Sequence, residues 1–458
     1  MSGSLSLSEC DVIGFDLDHT LCRYQLKNTS MLIYESFARY LVENKGYDED
    51  LLNVPPDMWD LCSKGLVVDL EKGNLLKLSH DGTILRATHG SRNLSEEEII
   101  KQYGPKREWK HFNNLNTTFN RSADYYFCDN YFDLPGVLLC ALVVDLLQKR
   151  GSEDTAQFWT DIIEAMDYNY SPSAFREGRG WYFPNVKRDP GRYLQICPEA
   201  VRRWLKTLKE NNKILLLITS SHSDYCSLVC EFVLGKDYKD LFDVIVTNAL
   251  KPGFFSLKPQ QRLFKTLMGD VESSEGLVCL EKPGWFSQGN WIHLRQLIRS
   301  LTNKQEPKMV YFGDSMRSDI FPACKFGKLE TVMILEEMEG EGVATENDKS
   351  ITSNQHTNQS PAEKKAKCEE GCIRSPSAVS QQWGSYFLDV QRDERGEERP
   401  TLTWSCNSVH QYCTIAVPSI ECITELPLDY KFTSFSADSS VAGYYPSPPH
   451  SLLRGVQS

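Results

Sequence analysis

Apolar residues along this chain fall into short runs whose period changes along its length. Residues 11–16 (Asp-Val-Ile-Gly-Phe-Asp) form a brief apolar run ending on a carboxylate, the pattern of a buried strand. Over 30–44 the period lengthens, with Leu32, Ile33, Phe37, Tyr40 and Leu41 on one helical face. Between Gly65 and Gly90 the spacing predicts a three-stranded meander: Leu66–Leu70, Asn74–Leu78 and Ile84–Thr88, turned at Lys72-Gly73 and Asp81-Gly82. Pro135 opens an apolar helix over 136–148. Pro198 opens another over 198–211, with Val201, Leu205 and Leu208 on one side.

From residue 213 strands and helices alternate: strand 213–218, helix 223–234, strand 242–246, helix 290–301, strand 309–312, helix 318–326 and strand 331–335. That rhythm predicts βαβ crossovers and a parallel sheet. The strand near residue 12 shares this sheet if the residues between are an insertion. The expected fold class is therefore α/β, a Rossmann-like parallel-sheet core (5–23 and 200–338) with a large inserted cap lobe (24–199). Residues 339–380 have almost no apolar content and read as a disordered insertion. Patches at 383–390 and 400–417 look β-like, within an extension (381–430) expected to pack on the core. The Ser- and Pro-rich 431–458 reads as a flexible tail.

Composition narrows the function classes. Of 458 residues 41% are apolar, enough for a sizeable core. Lys plus Arg is 50 against 62 Asp plus Glu, a net charge of −12, which repels phosphate backbones and disfavours nucleic-acid binding. A small anionic substrate stays open if a local positive site exists. The 15 cysteines lack paired spacing: Cys226/Cys230 and Cys368/Cys372 are isolated C-x3-C pairs. Reduced thiols are expected rather than disulfides or structural zinc. Met1–Cys10 has neither a basic nor a long apolar stretch, and no run reaches about 18 apolar residues, so a cytoplasmic chain with no membrane partner is expected.

Four short pieces carry reactive groups, each at or just beyond the carboxyl end of an expected core strand, where open α/β sheets bind ligands. Phe15-Asp16-Leu17-Asp18-His19-Thr20-Leu21 sets two carboxylates two residues apart. Leu216-Leu217-Ile218-Thr219 ends a strand on a hydroxyl. Asn248-Ala249-Leu250-Lys251-Pro252-Gly253 puts a lysine in a turn. Val310-Tyr311-Phe312-Gly313-Asp314 ends a strand in Gly-Asp, and Asp319 follows five residues on, a pair suited to a hard divalent cation. Singly, each has a plain structural use as turn, helix cap or solvated lysine. Their placement along one crevice is what points to chemistry.

In combination these motifs resemble those of the haloacid dehalogenase superfamily of aspartate-nucleophile phosphohydrolases. Further phrases are similar to the cytosolic purine 5'-nucleotidase family and its domain-containing relatives: Gly65-Leu-Val-Val-Asp, Gly73-Asn-Leu-Leu-Lys, Ala87-Thr-His-Gly, Phe132-Asp-Leu-Pro, Lys251-Pro-Gly-Phe-Phe and Phe312-Gly-Asp-Ser-Met-Arg-Ser-Asp-Ile. The likeness runs from about residue 5 to 338. It implies a Mg²⁺-dependent phosphohydrolase acting on a phosphate monoester, with a nucleoside monophosphate as the implied class. Asp16 would be the nucleophile and Asp18 the general acid and base. Thr219 and Lys251 would contact the phosphoryl group. The Asp16 side chain, the Asp18 backbone carbonyl and Asp314 would hold the metal, with Asp319 behind them. In purine-selective relatives the segment matching Phe132–Pro135 carries Asn where this chain has Asp133. The segment matching Ile163–Asp167 carries Arg where this chain has Ile163, and Asp167 is kept. Asp133 and Asp167 are thus the lobe's substrate candidates, and the base preference stays open. Three matters stay open at this stage: a non-nucleotide phosphoester or phosphoprotein as substrate, a catalytically weak interaction protein retaining the fold, and homo-oligomerisation.

Overall fold

Runs such as Val12–Phe15, buried at every position, cannot face water on either side and stack as inner strands of a covered sheet. A computed structural model describes residues 3–120, 122–151, 156–256, 261–342, 373–392 and 396–455. Its central sheet takes nine strands: β1 (Val12–Phe15), β2 (Ile214–Ile218), β3 (Val244–Thr247), β4 (Phe264–Met268), β5 (Val271–Glu272), β6 (Gly284–Gln288), β7 (Met309–Gly313), β8 (Glu330–Ile334) and β9 (Ile415–Val417). Their spatial order is β5-β4-β6-β3-β2-β1-β7-β8-β9. β1 lies parallel between β2 and β7, with Phe15 opposite both Leu217 and Phe312. Phe15 stacks on Phe312 at 5.0 Å and meets Trp204 edge-on, so the first carboxylate motif leaves the sheet from a rigid aromatic seat. The α/β class and the parallel-dominated sheet agree with expectation.

The sheet edges differ from the expected rhythm. β4 and β5 form an antiparallel ribbon on β6. Phe264-Lys265-Thr266-Leu267-Met268 has too few inward apolar positions to announce a strand. At the other edge β9 joins β8 in parallel, with Ala416 opposite Met333, so the extension supplies a strand of the sheet itself. Within the β-like stretch 400–417, Trp404–Tyr412 is helical. The Thr403 hydroxyl accepts the Cys406 N–H at 3.1 Å, and Trp404, Ser408 and Val409 are buried at helical spacing. The expected helix 318–326 resolves into two π-type turns, Met316–Ile320 and Ala323–Gly327.

The segment expected as a flexible tail carries packed side chains. Phe432–Thr433 pairs with Ser4–Leu5, and Tyr444 and Leu452 are buried. The aromatic residues between the serines and prolines find apolar partners, as where Phe435 meets Tyr444 at 4.9 Å. Of the expected insertion 339–380, residues 343–372 lie outside the described residues, together with Cys368/Cys372. Residues 373–380 pack: Arg374 pairs with Asp60 at 2.7 Å, and Ser380 donates to the Asp60 carbonyl.

Residues 24–199 supply a second, five-stranded antiparallel sheet (Val67–Asp69, Asn74–Leu78, Ile84–His89, Arg92–Asn93 and Tyr125–Phe127). Gly73 and Gly82 turn its meander at φ of 65° and 89°, where a Cβ is disfavoured. Three longer helices belong to this segment: α1 (Leu26–Lys45), α2 (Leu134–Lys149) and α3 (Ala156–Tyr170), packed on one another. Among the described residues no cysteine is in a disulfide, and no helix is long and apolar enough to cross a membrane.

Candidate active site

The reactive side chains are fixed by strand ends. Asp16 follows β1, and its N–H donates to the Phe312 carbonyl at 2.9 Å. Thr219 follows β2 and donates its N–H to Val246. Lys251 lies beyond β3, its N–H held by the Ser220 hydroxyl at 3.0 Å. Asp314 follows β7. Gly313 must be glycine here, since a Cβ would fall 2.4 Å from Asp319 Cβ. Four chain crossings therefore deliver their polar groups to one rim, as a parallel sheet requires of its carboxyl ends.

At that rim Lys251 Nζ lies 2.6 Å from Asp16 Oδ1 and 2.5 Å from Asp319 Oδ1, and it donates to the Tyr311 hydroxyl at 3.2 Å. Asp16, Asp314 and Asp319 bring carboxylate oxygens within 4.8 Å of one another, all three buried. Burial, then the neighbouring Asp319 carboxylate, pushes Asp16 up to about 8. The same two causes raise Asp314 well above the carboxylate range. Burial opposes the Lys251 ammonium, yet Asp16 and Asp319 outweigh it and hold its pKa above that of an ordinary lysine. Asp314 Oδ2 is buried and has no hydrogen-bond partner among the described residues. A crowded all-oxygen donor set with an orphaned carboxylate oxygen fits a hard divalent cation such as Mg²⁺. Asp319, which the resemblance put behind the metal ligands, brings an oxygen within 4.8 Å of those of Asp16 and Asp314.

Asp18 is held differently. Its Oδ1 accepts the Tyr24 hydroxyl at 2.7 Å, and its Oδ2 accepts Ser221 Oγ at 2.6 Å and Thr219 Oγ1 at 3.5 Å. The Tyr24 and Tyr182 hydroxyls in turn meet the Tyr225 hydroxyl at 3.1 and 3.0 Å. These hydroxyls fix Asp18 beside the end of β1 but outside the acidic trio. A cavity of about 350 Å³ opens above, with Asp16, Asp18, Thr219, Lys251, Asp314 and Asp319 on its floor. The inserted segment walls it with Phe132, Asp133, Tyr170, Tyr182 and Phe183.

Of the expected residues, Asp16, Asp18, Thr219, Lys251, Asp314, Asp319 and Asp133 line this one cavity. Asp167 does not. It is exposed on α3, about 160° round the helix from Ala165 and Asn169, whose burial sets the inward face. Lining residues that sequence reasoning passed over include His19, whose buried ring packs against Tyr24 and Phe132 and has no hydrogen-bond partner for either nitrogen among the described residues. Ser221, two residues past Thr219, could have been found from its position. Tyr24 and Tyr225 had no such signal.

The sequence profile of the 5' nucleotidase family matches residues 1–413. The chain is 55% identical over 452 residues to the 5'-nucleotidase domain-containing protein 1 of Homo sapiens, covering 98% of this chain and 97% of that protein. It is 54% identical over 454 residues to the Bos taurus protein of the same name, with the same coverage. Among solved structures, a haloacid dehalogenase-like family hydrolase from Xanthomonas campestris aligns over 71% of this chain and 82% of its own at 13% identity. Its TM-score of 0.25 is too low to bear weight.

Proposed function

Because the chain belongs to the 5' nucleotidase family and is a phosphoric monoester hydrolase, we propose that it cleaves a nucleoside monophosphate with the aid of Mg²⁺, by way of an aspartyl-phosphate on Asp16, in the cytoplasm. The observation that carries this reading is the convergence of Asp16, Asp18, Lys251, Asp314 and Asp319 on one cavity floor. A bound Mg²⁺ supplies neutralisation of phosphoryl charge, and Asp16, Asp314 and Asp319 are the residues that would hold it.

A carboxylate oxygen of Asp16 attacks phosphorus while the bond to the leaving oxygen breaks, and Asp18 passes a proton to that oxygen. Asp18 then takes a proton from water, whose oxygen attacks the phosphorus of the acyl phosphate. The P–O bond to Asp16 breaks, releasing phosphate and restoring both carboxyl groups. Lys251, held at 2.6 Å from Asp16, balances the negative charge gathered at phosphorus. The Thr219 hydroxyl and the Ser221 hydroxyl keep Asp18 aimed at the cavity. The inserted segment (24–199) acts as the cap that excludes water and selects the leaving group. Its aromatic wall suits a flat base, and Asp133 offers an acceptor for a base N–H.

The test is phosphate release from a panel of nucleoside monophosphates, sugar phosphates and a generic aryl phosphate, with Mg²⁺ and after chelation. The expected result is Mg²⁺-dependent release from nucleotides that Asp16→Asn abolishes. Release from the aryl phosphate alone would move the substrate to another phosphoester. Silence on all of them would leave a protein that keeps the fold without the reaction.

A further inference from the structure

The first N–H groups of a helical turn have no partners inside that turn and need acceptors from elsewhere. In the loop bearing Asp314 and Asp319, the turn Met316–Ile320 begins directly after Ser315. Ser315 covers one such group, its hydroxyl accepting from the Ser318 N–H at 2.9 Å, and its own N–H donates to Asp319 Oδ2 at 3.3 Å. The Met316 and Arg317 N–H groups donate instead to Asp129, at 3.1 Å to Oδ1 and 3.0 Å to Oδ2, and the Ser315 hydroxyl also donates to Asp129 Oδ2. Asp129 stands 186 residues away, just past the lobe strand Tyr125–Phe127, and is buried.

A buried carboxylate facing three donors cannot move without stranding all of them. The next residue, Asn130, organises the cavity wall: its Oδ1 accepts the Phe132 and Asp133 N–H groups, and its Nδ2 donates to the Asp133 carboxylate at 2.8 Å. One short stretch of the lobe thus grips the acid-bearing loop of the core and shapes the leaving-group wall.

We infer that Asp129 is a positioning residue: through Ser315, Met316 and Arg317 it fixes Asp314 and Asp319 in the arrangement that accepts a divalent cation. The inference rests on the functional reading above, and it is tested separately by a cation probe that needs no turnover. Mn²⁺ binding to the full chain, followed by electron paramagnetic resonance, is compared with phosphate release for wild type, Asp129→Ala, Asp129→Asn and Ser315→Ala. Asp129→Ala should weaken Mn²⁺ binding at least about tenfold and lower kcat at least about a hundredfold, with KM moving less than about threefold. Asp129→Asn keeps one acceptor oxygen and should recover part of the loss. Ser315→Ala removes one of the three donors and should lose less than Asp129→Ala. If Asp129→Ala fails to fold, the other two variants carry the same comparison. Mn²⁺ affinity and turnover within twofold of wild type in Asp129→Asn and Ser315→Ala would overturn the inference alone. Weakened Mn²⁺ binding in a chain that turns over no phosphoester would leave the inference standing and sink the functional reading. A wild-type chain that binds no Mn²⁺ overturns both.

Discussion

Replacing Asp16 by Asn should silence the enzyme and at the same time stabilise its metal-free form. In the fold, burial and the Asp319 carboxylate push the Asp16 carboxyl from 3.8 to about 8. The folded chain therefore binds this proton more tightly than the unfolded chain, and wild-type stability falls as pH rises from 3.8 towards 8. The slope is about 1.4 kcal/mol per pH unit, so at pH 7 the cost approaches about 4 kcal/mol. Asn has the shape of the protonated acid and titrates nothing, so it escapes that cost. Relaxation and water entry return part of it, leaving an expected gain of about 2–4 kcal/mol at pH 7 that vanishes near about pH 4. Urea unfolding in EDTA across that pH range would read the gap as a shift in midpoint at constant slope. Adding Mg²⁺ should narrow or reverse it, because the cation binds the folded wild type better. Phosphate release should fall by several powers of ten throughout. An Asn variant no more stable than wild type at pH 7, or a gap that does not grow with pH, would refute the argument.

Lys251→Met takes away the ammonium bridging Asp16 and Asp319 and should cost about 3–5 kcal/mol; chemical unfolding without metal checks it, and an unmoved midpoint would contradict it. His19 is buried with burial, Lys64 and Arg23 all holding its pKa down to about 3, so the ring stays neutral from pH 8 to 5. Since the unfolded chain takes up that proton below about 6.5, this residue costs stability as pH falls from there towards 3, and a ring titrating above pH 6 by nuclear magnetic resonance would disprove it. Gly313→Ala brings a Cβ within 2.4 Å of Asp319 and should cost about 1–3 kcal/mol and more than about tenfold in turnover, read by thermal unfolding and phosphate release.

Much of the site was legible because its members sit beside the features that declare a strand. Asp16, Thr219 and Asp314 each follow an apolar run directly, so the periodicity that predicts the strand also locates the side chain at its carboxyl end. Lys251 needed the company of the others, since a lysine in a turn is ordinarily solvated. Asp167 was placed by resemblance alone, and the rotation of α3 carries it outwards.

What the sequence alone determined was the local part: the alternating βαβ rhythm, the glycine-turned meander, and acids and a hydroxyl waiting at strand ends. Each depends on a few consecutive residues and on whether they prefer water. Tertiary structure alone decided the rest. It set β9 beside β8, made Trp404–Tyr412 helical, packed the terminal aromatics, and closed Asp129 over a loop 186 residues away. Those outcomes turn on which distant surface is free to bury a side chain or to accept a hydrogen bond, and no local pattern of apolar and polar residues records that.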